Sequence, residues 1–224
     1  MAFASNFGRI LSPTFQPNSQ AKKAGGWWDL NGTITSCIAA YQPKGAASYA
    51  ASLVNLTGNT DYDATETTQP GWDATNGWTN YDAAAHLDTG VVFDSVDMSM
   101  IVRYANYDYT KSSQYATIVG VNVWRKKFTM VVYSQPRIYY SWGDAQVTKW
   151  DAGASAVVAM TQKIGYYNGS VVGTCSPTYE GISNTTIRIF NGEDSYLSIL
   201  AFAIYDSVLT STQVGNLTTA MNAL

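Results

Sequence analysis

"GYYNGSVVGT", residues 165–174, is the stretch on which the fold turns. Two short runs flank Asn168-Gly169. Asn and Gly tolerate the positive φ angles of a two-residue type I′ turn, so the stretch reads as a β-hairpin. Its neighbours read the same way. "MSMIVRY" (98–104), "YATIVGVNVW" (115–124), "FTMVVYS" (128–134), "RIYYSW" (137–142), "ASAVVAMT" (154–161), "TTIRIF" (185–190) and "YLSILAFAIY" (196–205) are β-branched or aromatic runs between Gly, Asn, Asp, Ser or Pro clusters. Short strands with a turn every ten residues or so predict an all-β antiparallel sandwich or barrel. Several runs are apolar on both faces, as inner strands covered from both sides should be.

Two helices are expected besides. "KGAASYAASLVNL" (44–56) places Ala47, Ala51 and Val54 at helical spacing. The second, "LTSTQVGNLTTAMNAL" (209–224), has Thr210 as N-cap with Gln213 completing a capping box, and Leu209 and Val214 as a hydrophobic staple. Val214, Leu217 and Met221 share the face that docks on the sandwich.

The chain's 224 residues suffice for one well-buried domain. Charged residues make up 13%, against a usual ~25%, so solubility rests on neutral polar groups. The net charge is −3, and the one basic cluster, Arg125-Lys126-Lys127, reads as a solvated turn. Nucleic acid is not an expected partner, and no segment has the length and apolarity of a membrane span. Cys37 and Cys175 form no C-x-x-C pair. One disulfide or two buried thiols fit them, the thiols being favoured because strand cysteines pack as small hydrophobes.

Residues 1–24 differ from the rest. "SPTFQPNSQAKK" holds two prolines, polar spacers and no periodicity, so 1–24 is expected to be an extended docking arm and 25–224 a single β-sandwich domain. Phe3, Phe7, Ile10, Leu11 and Phe15 are the arm's expected anchors on a neighbouring surface. The first twenty residues lack the continuous apolar run of a signal peptide, which implies synthesis in a cytoplasm without export by a leader.

From about residue 72 onward the order of motifs resembles the laminin-G-like jelly roll of the concanavalin A-like lectin/glucanase superfamily. "SAVVAMT", the hairpin "GYYNGSVVGT", "IRIFNG" and the closing "LSILAFAIYDSVLTSTQVGNL" follow one another as that family's strands do, after "HLDTGVVFDSVDMSMIVRYANYD". The resemblance implies a concanavalin A-like jelly-roll sandwich with a short C-terminal helix. The preceding "AGGWWDLNGTITSCIAAYQPKGAASYAASLVNLTG" and "PGWDATNGW" are similar to laminin-G-like modules of bacteriophage and prophage virion proteins. That implies a virion structural protein, a capsid decoration or tail-associated module. Its partners would be other virion proteins, or copies of itself reached through the arm, and host-surface glycans.

Little in the chain suggests catalysis. A glycosidase needs two carboxylates roughly 5–9.5 Å apart, and Glu66, Glu180 and Glu193 are isolated in loop-like contexts. His86 is the only histidine, which leaves no histidine-rich metal site and only one base for any triad. A non-enzymatic chain without catalytic residues is therefore expected, with a glycoside hydrolase as a remote alternative. Asp61, Asp63, Asp88, Asp94, Asp97 and Asp194 allow a rim calcium, with Glu193 beside them, but no D-x-D-x-D-G loop is present. Turn-forming Asx roles are preferred, and neither metal nor cofactor is expected. For a ligand, "RIYYSWGD" sets aromatic rings beside a carboxylate. Tyr140, Trp142 and Asp144, extended by Trp124 and Trp150, are the expected sugar platform of a lectin-like module. Alternation along the strand sends Tyr139 one way and Tyr140 and Trp142 the other, so one set must pack.

Overall fold

A computed structural model describes residues 25–81, 85–112, 116–121, 127–178, 181–190 and 195–224. Two antiparallel sheets pack face to face. The first contains β1 (Cys37–Tyr41), β3 (Gly71–Asp73), β4 (Gly77–Asn80), β6 (Ser99–Ala105), β11 (Ala156–Thr161), β12 (Ile164–Tyr167), β13 (Ser170–Thr174) and β15 (Leu197–Tyr205). Its order is β13-β12-β11-β6-β15-β4-β3, with β1 also paired to β15. The second contains β2 (Thr65–Thr68), β5 (His86–Val92), β7 (Ala116–Val121), β8 (Lys127–Tyr133), β9 (Gln135–Gly143), β10 (Ala145–Trp150) and β14 (Thr186–Ile189). Its order is β10-β9-β8-β7-β14-β5-β2. The antiparallel β-sandwich expected from the strand pattern is thus the architecture of the described residues.

The first sheet is covered twice. One face meets the second sheet in the main core, where Phe93, Phe128 and Trp142 stack and cross with ring centroids 4.9–5.7 Å apart. The other face carries a second core, formed by helix α2 (Ser211–Asn222) and the loop around Trp28 and Ile34. Two-sided cover explains why all nine residues of β15 are buried, and why that run reads as continuously apolar. The α2 capping box is present, with Gln213 N–H donating to Thr210 Oγ1 and Thr210 N–H to Gln213 Oε1. Both staple residues, Leu209 and Val214, are buried.

The hairpin at 165–174 forms as expected, with φ of +48° at Asn168 and +78° at Gly169. Tertiary contacts restrict it further. A Cβ on Gly165 would lie 2.6 Å from the Tyr140 ring of the facing sheet. A Cβ on Gly169 would reach only ordinary packing contact with the Gly215 backbone of α2, at 3.4 Å, so there the positive φ of the turn is the constraint.

The expected helix over 44–56 is cut to a single turn, α1 (Tyr49–Ser52), capped by Ser48. Gly45 takes φ +79°, and buried Asn55 takes over the chain beyond. Its Oδ1 accepts from the N–H groups of Ala40 and Thr57, while its Nδ2 donates to the carbonyls of Ile38 and Asn59. Four bonds to backbone outcompete continued helix at a residue of modest helix propensity. Cys37 and Cys175 are buried free thiols, and burial pushes the Cys175 thiol up.

Candidate binding groove

Main-core packing decides which aromatics of residues 137–142 can meet a ligand. Tyr140 is fully buried and Trp142 is 2% exposed, because both point from β9 into the main core. Tyr140 donates its hydroxyl to Tyr166 O at 2.7 Å, and burial raises its pKa well above the usual tyrosine value. Trp142 crosses Phe93 and Phe128 edge to face. Neither ring has a face to offer, so the expected platform is corrected on both residues. Asp144 is exposed, but its carboxylate anchors the loop after β13, accepting from Thr178 N–H at 2.8 Å and from the Thr178 hydroxyl. Trp124 and the arm residues Phe3, Phe7, Ile10, Leu11 and Phe15 lie outside the described residues.

The accessible aromatic surface sits one strand further on. β10 and β13 are terminal strands of the two sheets, and a groove of about 580 Å³ runs along the seam they flank. Thr148, Lys149, Trp150 and Asp151 form one wall, and Tyr167, Asn168, Ser170, Val171 and Val172 the other. Trp150 is 54% exposed. It points to the outer side of its sheet, where Arg137 stacks on one face of the indole at 3.8 Å. Across the seam the Lys149 ammonium lies 5.0 Å from the centre of the Tyr167 ring. The Tyr167 hydroxyl accepts from Gly153 N–H at 2.8 Å, which sets the ring's tilt.

Polar groups converge on these rings. The turn geometry holds Asn168 at the groove's end, where its Oδ1 accepts from Val157 N–H at 2.9 Å and its amide N–H donors stay uncommitted among the described residues. Asp151, with φ +55°, and Ser170 contribute an exposed carboxylate and hydroxyl. Their side chains have no protein partner among the described residues. The terminal strands add backbone N–H and C=O groups without ladder partners. Aromatic faces with a few convergent donors and acceptors can stack an apolar ring face and fix its hydroxyls.

Of these residues, sequence reasoning reached only Trp150, as an extension of the wrong platform. Tyr167, Asn168 and Ser170 read as plain hairpin. The available signal was "AQVTKW", whose weak alternation marks a terminal strand with both sides partly open.

Several of the described carboxylates are tied to local partners. Glu66 is on β2, not in a loop, and its carboxylate accepts from Tyr49 Oη at 2.5 Å. Asp63 and Asp88 cap backbone N–H groups, and Asp97 accepts from Gln162. Among the described residues no three of His, Cys, Asp and Glu come together. Glu180, Glu193 and Asp194 lie outside those residues.

No family model and no curated protein matches the chain in sequence. Solved structures do. Trypanosoma rangeli sialidase superposes with a TM-score of 0.59 at 13% identity, over 84% of this chain and 33% of that one. The botulinum neurotoxin serotype D binding domain gives 0.58 at 15% identity, over 82% of this chain and 50% of the other. The likeness is one of fold. This chain spans about a third of the sialidase and half of the toxin domain, both of which hold a β-sandwich compatible with a jelly roll.

Proposed function

We propose that the chain is a carbohydrate-binding β-sandwich module whose ligand lies in the seam groove, with Trp150 and Tyr167 as stacking surfaces and Asn168, Ser170, Asp151 and Lys149 as hydrogen-bonding partners. The observation that carries this reading is Trp150, an indole half open to solvent at the mouth of a groove lined by uncommitted polar groups. Trp is over-represented among the residues that carry binding energy at recognition surfaces. Similarity in fold to a sialidase and to a toxin binding domain supports the reading, since one protein acts on a glycan and the other is named for binding. Placement of the module on a virion through residues 1–24 is a companion proposal. It rests on the virion-module resemblance and on the aromatic anchors of that segment.

The test is retention on a panel of immobilised glycans. Wild type should retain at least one class of sugar, and Trp150→Ala or Tyr167→Ala should weaken retention at least tenfold with thermal stability kept. Retention unchanged in both variants, or no retention on any sugar, overturns the proposal.

A further inference from the structure

Among the described residues three aromatic side chains are strongly exposed, Trp150 at 54%, Tyr81 at 47% and Tyr109 at 43%. All three stand at one end of the sandwich. Trp150 closes β10 opposite Arg137, Tyr81 directly follows β4, and Tyr109 lies in the loop after β6. The strand register puts these positions together, since Asn80 pairs with Leu197, Ala105 with Ser198 and Tyr104 with Ala156. At the opposite end the exposed Val92, Val96 and Val208 offer no ring.

A series of contacts joins the three rings. The Arg137 guanidinium lies 3.8 Å from the centre of the Trp150 ring and 6.0 Å from that of Tyr133. The Tyr107 hydroxyl then bridges the two sheets, its proton shared between Tyr133 O at 2.5 Å and Gln135 O at 2.8 Å. Tyr107 meets Tyr109 edge-on at 6.5 Å. Asp108 N–H donates to Tyr196 O at 2.9 Å, and the Tyr196 ring lies 5.7 Å from that of Tyr81. The path takes two strand spacings along the second sheet, one crossing between sheets and two spacings along the first. Each leg is about 10 Å, so the rim runs for roughly 30 Å.

The far part of this rim is not used up by the fold. Tyr41, Tyr104, Tyr107, Tyr140 and Tyr205 all donate their hydroxyls to backbone carbonyls. The hydroxyls of Tyr81, Tyr109 and Tyr196 have no partner among the described residues. Beside Tyr81 a cavity of about 70 Å³ opens between Gln69, Gly71 and Thr79. That is the volume of about two waters, which admits a substituent of a sugar ring and not the ring itself.

We propose that the seam groove is the first part of a longer binding track, which passes over Arg137 and the loop after β6 to Tyr109, Tyr196 and Tyr81. Its ligand is a glycan polymer, bound through several consecutive sugar residues and not through one terminal sugar. Rings joined by glycosidic bonds reach the second set of aromatics as an intramolecular step, so affinity grows with chain length. The inference rests on the glycan reading of the groove and adds to it the polymeric class of ligand and the residues that read its length.

Calorimetric titration with soluble oligosaccharides tests it, using disaccharides and hexasaccharides of the glucose, N-acetylglucosamine, galactose and mannose series. At least one hexasaccharide should bind wild type ten times or more as tightly as its disaccharide. Tyr81→Ala/Tyr109→Ala should lower the affinity for that hexasaccharide at least fivefold, with the disaccharide's affinity and thermal stability unchanged. Trp150→Ala should weaken both lengths. Equal affinity for the two lengths overturns the track and leaves the groove reading standing. Hexasaccharide binding that survives the double substitution does the same, since Tyr81 and Tyr109 then serve some other partner. Absence of binding by either length in every series overturns the groove reading and the track together.

Discussion

Trp142 and Trp150 lie eight residues apart on paired strands, yet the fold gives them opposite duties, and substituting each by alanine should separate stability from binding. Trp142 is 2% exposed and crosses Phe128 at 5.3 Å and Phe93 at 5.7 Å. Truncating a buried Trp costs ~3–5 kcal/mol, and losing two edge-to-face contacts places this site in the upper half of that range. About 4 kcal/mol in a domain of this size lowers Tm by about 8–16 °C. Trp150→Ala removes an exposed ring whose one described aromatic-type contact is the Arg137 stack at 3.8 Å, worth ~0.5–1 kcal/mol at such a site, so Tm should fall by less than ~4 °C. Urea unfolding followed by tryptophan fluorescence, with glycan retention measured on the same preparations, reads both quantities. Trp142→Ala should lose stability, and any glycan still retained by folded protein should bind as tightly as to wild type. Trp150→Ala should lose binding alone. A Trp142→Ala protein within 1.5 kcal/mol of wild type would refute the packing assigned to β9. A Trp150→Ala protein destabilised by more than 2 kcal/mol would show that ring to be structural.

Three other outcomes follow from the same packing. Gly120 has φ +127°, and a Cβ there would lie 2.1 Å from Phe128 O of the paired strand; Gly120→Ala should cost at least ~3 kcal/mol by urea unfolding, the upper end of single-residue backbone strain. Burial raises the Asp29 pKa, but N–H groups of Gly25 and Gly26 outweigh it and hold the carboxyl below its usual 3.8. The stability it contributes is therefore present above pH 3.8 and lost as pH falls through the lower folded value; Asp29→Asn should remove part of the acid-induced decline measured between pH 4 and 2. Cys37 and Cys175 should both resist iodoacetamide in the native protein and react together on unfolding without added reductant, as counted by mass spectrometry.

Sequence alone settled whatever depends on neighbours along the chain. Asn168-Gly169 dictates its turn because few other pairs accept two positive φ angles. Thr210 and Gln213 dictate the start of α2 because the capping box closes within four residues. The strands from Ser99 to Tyr205 were legible from β-branched and aromatic runs broken by turn residues, and with them the sandwich. A period of two also says that Tyr139 and Tyr140 point to opposite faces, but not which face is covered. The facing sheet decides that, with Gly165 admitting the Tyr140 ring. The helix expected over 44–56 failed for a related reason, since the backbone groups that Asn55 captures belong to residues up to 17 positions away. The groove needed the tertiary structure most of all. Trp150 and Tyr167 belong to different sheets and line one groove only because β10 and β13 end those sheets on the same side. That juxtaposition comes from how two finished layers stack, which no local pattern encodes.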